Sequence, residues 1–204
     1  FKHTGLFPEQ AANWDFLMDQ IEQAHREIRV LNLFAYTGGA TMACAAAGAK
    51  EVVHVDAAKG MVQWAKENMV LSHLEDRKIR FIVDDVLKFV EREKRRGRTY
   101  HGIIMDPPSY GRGPKGEIWK IEEQLYPLVS ACLDILDEQP LFFLINSYTT
   151  GFPASVLQNI LNTTVKKRHP QGRIEAGEIG LPITGSDMVL PCGIYGRWVH
   201  DPNA

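Results

Sequence analysis

Apolar positions alternate along this chain between two kinds of run. Short, nearly continuous apolar runs occur at 28–36 (IRVLNLFAY), 51–56 (EVVHVD), 79–85 (IRFIVDD), 100–106 (YHGIIMD) and 140–147 (PLFFLINS). Between them, 14–25, 38–49, 58–74, 86–97, 120–136 and 153–161 carry apolar residues at helical spacing. Uninterrupted apolar strands alternating with amphipathic helices predict a parallel sheet covered on both faces. Pro127 falls inside the 120–136 segment, which predicts a bent or interrupted helix there. The tail breaks the rhythm. Segments near 173–181 and 192–199 are strand-like, with the loop LPITGSD and no helix between them, so they are expected to pair as an antiparallel hairpin.

Length adds that 204 residues suit one domain with a sizeable core. The expectation is a single unit over 1–204 with a short lead-in over 1–27. Because the first residue is Phe1, the chain is expected to be part of a longer protein. A net charge of −2 gives no bulk attraction to nucleic acid or membrane, but leaves room for a local basic patch. Cys44, Cys132 and Cys192 form an odd, sparse set without CxxC spacing, which argues against a disulfide scaffold or zinc site. No signal peptide or membrane-length apolar run stands out, so a reduced, cytoplasmic setting is expected.

Ligands of open α/β sheets bind beyond the carboxyl ends of the strands. The first strand delivers Ala35-Tyr36-Thr37-Gly38-Gly39 there, the second Asp56, the third Asp84-Asp85, the fourth Asp106-Pro107-Pro108 and the fifth Asn146-Ser147-Tyr148. Glycines let a backbone turn tightly against a ligand. Asp56 is placed to accept from two ribose hydroxyls, although a solvated strand end or a helix cap is its plain alternative. YTGGAT is not GxGxxG, and no GxxxxGK[ST] occurs, so a phosphate cradle is not indicated. A ligand with ribose and adenine but no phosphate fits better. Asp85 can accept from an adenine amino group, or one of Asp84 and Asp85 can cap the next helix.

Taken together, VLNLFAYTGGATMACAAAGAKEVVHVDAAKGMVQWAKENMVLS, DDVLKFV and IIMDPPSYGRGPKG resemble class I S-adenosylmethionine-dependent methyltransferases. More narrowly, they resemble the bacterial branch related to large-subunit ribosomal RNA methyltransferases acting on cytosine C5 or guanine N2. HTGLFPEQ is similar to that branch's lead-in, which folds over the cofactor site. The resemblance implies a Rossmann-like seven-stranded, mostly parallel sheet with a C-terminal antiparallel hairpin and helices on both faces. It also implies S-adenosylmethionine as cofactor, no metal, and RNA as substrate. Tyr36, Thr37, Gly38 and Gly39 would cradle the methionine part, Asp56 the ribose, and Ala57 would sit beside the adenine. Asp85 would take the adenine amino group and Val86 would offer a backbone N–H. Asp106 would lie between cofactor and substrate, and Thr4, Phe7 and Gln10 would come from the lead-in. Ala11 stands where the family often has an Arg.

The DPPSY segment carries the chemistry. An exocyclic amine needs acceptors for its hydrogens. Asp106 offers a carboxylate and Pro107 a rigidly placed carbonyl, and the prolines add no competing N–H. Tyr110 is the candidate to stack on a flipped-out base. Attack on cytosine C6 requires a cysteine, yet Ser109 follows the prolines and NSYTTGF follows the fifth strand. Nitrogen, with guanine N2 foremost, is therefore the expected acceptor. Arg112, Lys115 and Lys120 are candidate phosphate contacts. The basic stretch 88–98 is another candidate, with a solvated helix face as the competing account. The GRGPKGE segment (111–117) is expected to close over substrate. His54 and His101, on apolar strands, are expected in the core. Other classes stay open: a methyltransferase acting on another RNA, a small molecule or a protein, or a non-catalytic cofactor- or RNA-binding module.

Overall fold

The computed structural model describes residues 3–112, 118–201 and 203. The strands are β1 (Arg29–Leu33), β2 (Glu51–Asp56), β3 (Ile79–Val83), β4 (Gly102–Met105), β5 (Tyr110–Arg112), β6 (Ile118–Lys120), β7 (Phe142–Ser147), β8 (Gly172–Pro182) and β9 (Val189–His200). A 3-10 turn, Pro8–Gln10, leads into α1 (Ala11–Gln23). The other helices are α2 (Gly39–Ala46), α3 (Lys59–Leu71), α4 (Val86–Arg95), α5 (Ile121–Cys132), α6 (Ala154–Thr163) and the short α7 (Val165–Arg168).

Seven strands form one sheet in the order β3-β2-β1-β4-β7-β9-β8. The pairs from β3 to β7 are parallel, whereas β9 runs antiparallel to both β7 and β8. This is the expected fold, with the tail hairpin joined to the parallel sheet through β9. Strand order reverses between β1 and β4, which opens a crevice beyond their carboxyl ends.

Alternation along the strands builds the two faces. Val30, Val52, Ile104, Phe142 and Leu144 pack against Phe16, Leu17 and Ile21 of α1 and Cys44 and Ala45 of α2. Their neighbours Leu31, Val53, Ile103, Phe143 and Ile145 pack against α4, α5 and α6 through Phe89, Leu125, Leu128, Leu157 and Leu161. Every residue of β4 and β7 is buried, as strands covered on both sides require.

Three local differences from the sequence expectation have physical causes. Helical structure begins at Pro8 rather than residue 14, because a proline at a first-turn position loses no hydrogen bond. Strand β3 stops at Val83 rather than residue 85 because Asp85 is taken up as the cap of α4, its side chain accepting the Lys88 backbone N–H at 3.0 Å. Beyond DPPS the chain forms a small hairpin, β5 paired with β6, where a loop was expected; residues 113–117 of that segment lie outside the described residues. Helix α5 runs through Pro127 without a break. Among the described residues, no helix is long and apolar enough to cross a membrane.

Candidate functional site

The turn after β1 is held in an unusual backbone geometry. Phe34 (φ 54°) and Tyr36 (φ 51°) are both left-handed although neither is glycine, and Gly38 follows at φ 89°. A left-handed non-glycine residue costs about 1–2 kcal/mol, so neighbouring bonds must hold it. Ala35 donates to the Val55 carbonyl at 3.0 Å, and the Tyr36 N–H donates to Asp56 Oδ2 at 2.9 Å. Asp56 Oδ1 accepts from the Ala58 N–H at 2.8 Å. The carboxylate thus fastens the β1 turn to the start of α3, and each oxygen keeps a second lone pair for a ligand. Gly39 allows a close approach from behind, since a Cβ there would lie 2.8 Å from the Trp14 ring.

His54 backs this turn. It is fully buried, with Nδ1 2.9 Å from Thr41 Oγ1, and burial lowers its pKa to about 4. His101 is buried too, its Nδ1 accepting the Arg29 N–H at 3.0 Å. Both histidines are core residues, as their apolar strands predict.

The lead-in straps itself onto the same turn. Thr37 Oγ1 donates to the Gly5 carbonyl, the Gly5 N–H donates to the Tyr36 hydroxyl at 3.2 Å, and Phe7 packs against Tyr36 and Tyr148 with ring centroids 5.7 and 5.8 Å away. Gln10 donates to the Tyr148 hydroxyl at 2.8 Å. Asn13 bridges Gln10 to Asn146 at 3.0 and 2.9 Å. Thr4 is exposed and Ala11 only begins α1.

A cavity of about 980 Å³ lies beyond the switch point. Its lining brings together Phe7, Tyr36, Asp56, Ala57, Asp85, Val86, Asp106 and Pro107 of the sequence-derived set. A smaller neighbouring cavity of about 70 Å³ shares Tyr36 and Asp106 and adds Gln10, Thr37, Gly38 and Gly39. Asp106 therefore stands between the two. Burial, reinforced by the Glu9 carboxylate, pushes its pKa up to about 7. The Glu9 side chain is itself buried at the foot of the lead-in; the sequence offered no sign of its role.

The loop after Asp106 is tied on several sides. Ser109 Oγ lies 2.7 Å from Thr149 Oγ1, joining the exits of β4 and β7. The Pro108 carbonyl accepts from Trp119 Nε1 at 2.6 Å, whereas Pro107 is buried at the cavity wall. Tyr110 is 51% exposed, receives a hydrogen bond from Arg112 Nε at 2.9 Å and does not line the cavity. Besides Phe7, Tyr36 and Tyr148, the aromatic lining includes Phe34 and Trp119, with ring centroids 5.2 Å apart. Neither of these two was legible beforehand, because Phe34 reads as a strand residue and Trp119 follows an irregular segment.

Basic residues divide by location. Arg112 lines the cavity, Lys120 pairs with Glu123 at 2.9 Å, and Lys115 lies outside the described residues. Much of the 88–98 stretch is spent on internal pairs: Arg92 with Asp84 at 2.7 Å, Lys94 with Asp134 at 2.8 Å, Arg96 with the buried Glu93 at 3.2 Å, and Arg98 with the buried Glu51. Cys44 and Cys132 are fully buried, and burial pushes both thiols up. Cys192 lies on β9, away from the cavity lining.

Comparison with known proteins places this geometry. The chain is similar to the crystal structure of the SAM-dependent methyltransferase from Agrobacterium tumefaciens, with 40% identity and a TM-score of 0.90 over 99% of this chain and 64% of that one. It is 31% identical over 134 residues to ribosomal RNA large subunit methyltransferase K/L from Shewanella frigidimarina, covering 65% of this chain and 18% of the relative. Similarity to ribosomal RNA large subunit methyltransferase I from Cronobacter sakazakii is 38% over 82 residues, 40% of this chain and 21% of the relative. The chain thus spans about a fifth of these two curated relatives. The family model for S-adenosylmethionine-dependent methyltransferases matches residues 2–123, more than half of the chain, and the chain belongs to that family.

Proposed function

We propose that residues 1–204 act as one catalytic unit that transfers a methyl group from S-adenosylmethionine to an amino group of a ribosomal RNA base, guanine N2 foremost. The observation that carries this reading is Asp106. Its carboxyl, with a pKa of about 7, faces both cavities at the end of β4, directly before the buried Pro107.

The residues present fit the cofactor. Asp56 retains lone pairs toward the large cavity for ribose hydroxyls, beside Ala57. Asp85 spends one carboxylate oxygen on the Lys88 N–H and keeps the other for an adenine amino group, with Val86 next to it. Tyr36, Thr37 and Gly38, with Phe7 and Gln10 above them, wall the smaller cavity, which is suited to the amino-acid end. Thr4, exposed and off both linings, drops out of this set. The cofactor supplies a methyl group activated by a positively charged sulfur.

The chain's own residues orient the acceptor. Asp106 and the Pro107 carbonyl accept the two hydrogens of an exocyclic amine and turn its lone pair toward the methyl group. The amine must shed a proton as it is methylated. A carboxylate with a pKa near 7 takes that proton at neutral pH, as a general base should. Carbon methylation finds no support, because no cysteine lines either cavity and Ser109 is engaged by Thr149. Similarity to the ribosomal RNA large subunit methyltransferases I and K/L supports ribosomal RNA as the substrate class.

Calorimetric titration with S-adenosylmethionine tests the cofactor half; equal affinity in wild type and Asp56→Ala would sink it. Labelled cofactor and unmodified ribosomal RNA, followed by mapping of the label, tests the rest. Label on an amino nitrogen of a base is expected, while label on carbon, or on protein or small molecules alone, would overturn it.

A further inference from the structure

We propose that the acceptor base stacks on Trp119, presented by the β5–β6 hairpin, and not on Tyr110 of the DPPSY segment. This rests on the function proposed above and goes further by naming the surface that recognises the substrate.

Hairpin register supplies the first argument. Directly opposed residues of an antiparallel pair project from the same face. Trp119 opposes Gly111, whereas Tyr110 opposes Lys120. Successive residues alternate faces, so Trp119 and Tyr110 point to opposite sides of the hairpin. Of these four, Trp119 and Gly111 line the cavity and Tyr110 and Lys120 do not; on the Tyr110 side only the Arg112–Ile118 pair, next to the hairpin tip, reaches the lining. Tyr110 is half exposed, and its hydroxyl is already engaged by Arg112 Nε at 2.9 Å.

The second argument is preorganisation. The Trp119 indole N–H donates to the Pro108 carbonyl at 2.6 Å, and its ring leans on Phe34 at 5.2 Å with a tilt of 57°. One edge of the indole is thus fixed to the loop that also carries Asp106 and Pro107. Stacking loses little further freedom when the platform is already held. Gly111 lies directly across from Trp119, where a Cβ would be in ordinary van der Waals contact with Trp119 Cβ and Pro108 Cγ at 3.8 Å. The slot also has Arg112 at its rim, a cation suited to the phosphate of the same nucleotide.

The hairpin therefore joins two tasks. Its indole holds the base flat, and its contact with Pro108 keeps that base in register with Asp106. Base–aromatic stacking tolerates any base, so the platform supplies affinity, and the acceptors at Asp106 and Pro107 select the atom.

Steady-state methylation of unmodified ribosomal RNA with labelled S-adenosylmethionine is compared for wild type, Trp119→Ala, Trp119→Phe and Tyr110→Ala, with cofactor affinity of each measured by calorimetry. Trp119→Ala is expected to raise KM for RNA on the order of ten-fold or more, the loss of one base–aromatic stack, with cofactor affinity unchanged. Trp119→Phe should restore most of that KM, because it keeps one six-membered aromatic face while losing the fused pyrrole ring and its N–H, and Tyr110→Ala should stay within about two-fold of wild type. The proposal falls if Tyr110→Ala raises KM more than Trp119→Ala, if Trp119→Phe is as damaged as Trp119→Ala, or if Trp119→Ala weakens cofactor binding. A wild type that binds cofactor but methylates no ribosomal RNA overturns the function itself and this platform with it.

Discussion

Replacing Asp106 by Asn should stabilise the protein while removing its activity, and the gain should depend on pH. In the unfolded chain the carboxyl titrates near 3.8; in the fold it titrates at about 7. The folded state therefore holds a proton that the unfolded state has already lost, and stability falls as pH rises between those two values. A span of about 3 pH units corresponds to at most about 4 kcal/mol at 1.36 kcal/mol per unit. Asp106 keeps some contact with the open cavity, where water screens part of the cost, so about 2–4 kcal/mol is the expected range. Asn resembles the protonated acid in shape and has no charge to desolvate. The difference between variant and wild type should be near its minimum around pH 4, grow through pH 5 and 6, and level off above about 7. Urea denaturation of both proteins without cofactor, at a series of pH values, measures that difference directly. A stability difference that does not change with pH would refute the buried-carboxylate account. Methyl transfer by Asp106→Asn should fall by at least about 100-fold, the usual contribution of a positioned base.

Other outcomes follow from the same contacts. Glu9→Gln removes the carboxylate that helps to raise Asp106, so the acid limb of the kcat/KM profile, expected near pH 7 and rising with pH, should move to lower pH; an unmoved limb would count against the coupling. Asp56→Ala leaves the Tyr36 and Ala58 N–H groups without their acceptor. It should cost about 1–3 kcal/mol by urea melts as well as cofactor affinity. Arg98→Ala strips a shared cation from the buried Glu51 and Glu93, which keep Lys78 and Arg96 respectively; a loss of about 1–2 kcal/mol in stability is expected, with cofactor affinity per folded molecule unchanged. In the native protein a thiol reagent should modify Cys192 alone, with Cys44 and Cys132 reacting only on unfolding. Mass mapping of the adducts would expose an error.

How much of this was legible in the sequence depends on the range of the forces involved. Apolar runs such as VLNL and FFLI announce strands buried on both sides, because burial acts on every residue of the run. Residues at strand ends are likewise predictable, since topology carries Asp56, Asp85 and Asp106 to one edge of the sheet whatever their side chains do. What the side chains do there was less visible. Asp56 reads as a ligand for ribose hydroxyls, yet its first task in the fold is to hold a strained turn through Tyr36 and Ala58. Asp85 reads as an adenine ligand, and it also caps α4. Both are compatible, because a carboxylate has more lone pairs than one role consumes.

The aromatic beside DPPS shows where local reading fails. Adjacency in sequence nominated Tyr110, but a strand sends adjacent side chains to opposite faces. Whether Tyr110 or its successor meets the cavity is fixed by the pairing of Tyr110–Arg112 with Ile118–Lys120. That pairing depends on two short segments joined across an irregular stretch, with no apolar periodicity to mark it. The same limit hid Glu9. A carboxylate eight residues into the lead-in carries no local signal of meeting Asp106. The encounter depends on the contacts that draw the lead-in across the end of the sheet, Phe7 on Tyr36 and Tyr148 and Gln10 on Tyr148 among them. The residues proposed for the chemistry are thus delivered by the strand ends. Residues that tune it arrive through contacts made late in the fold, from segments far apart in the chain.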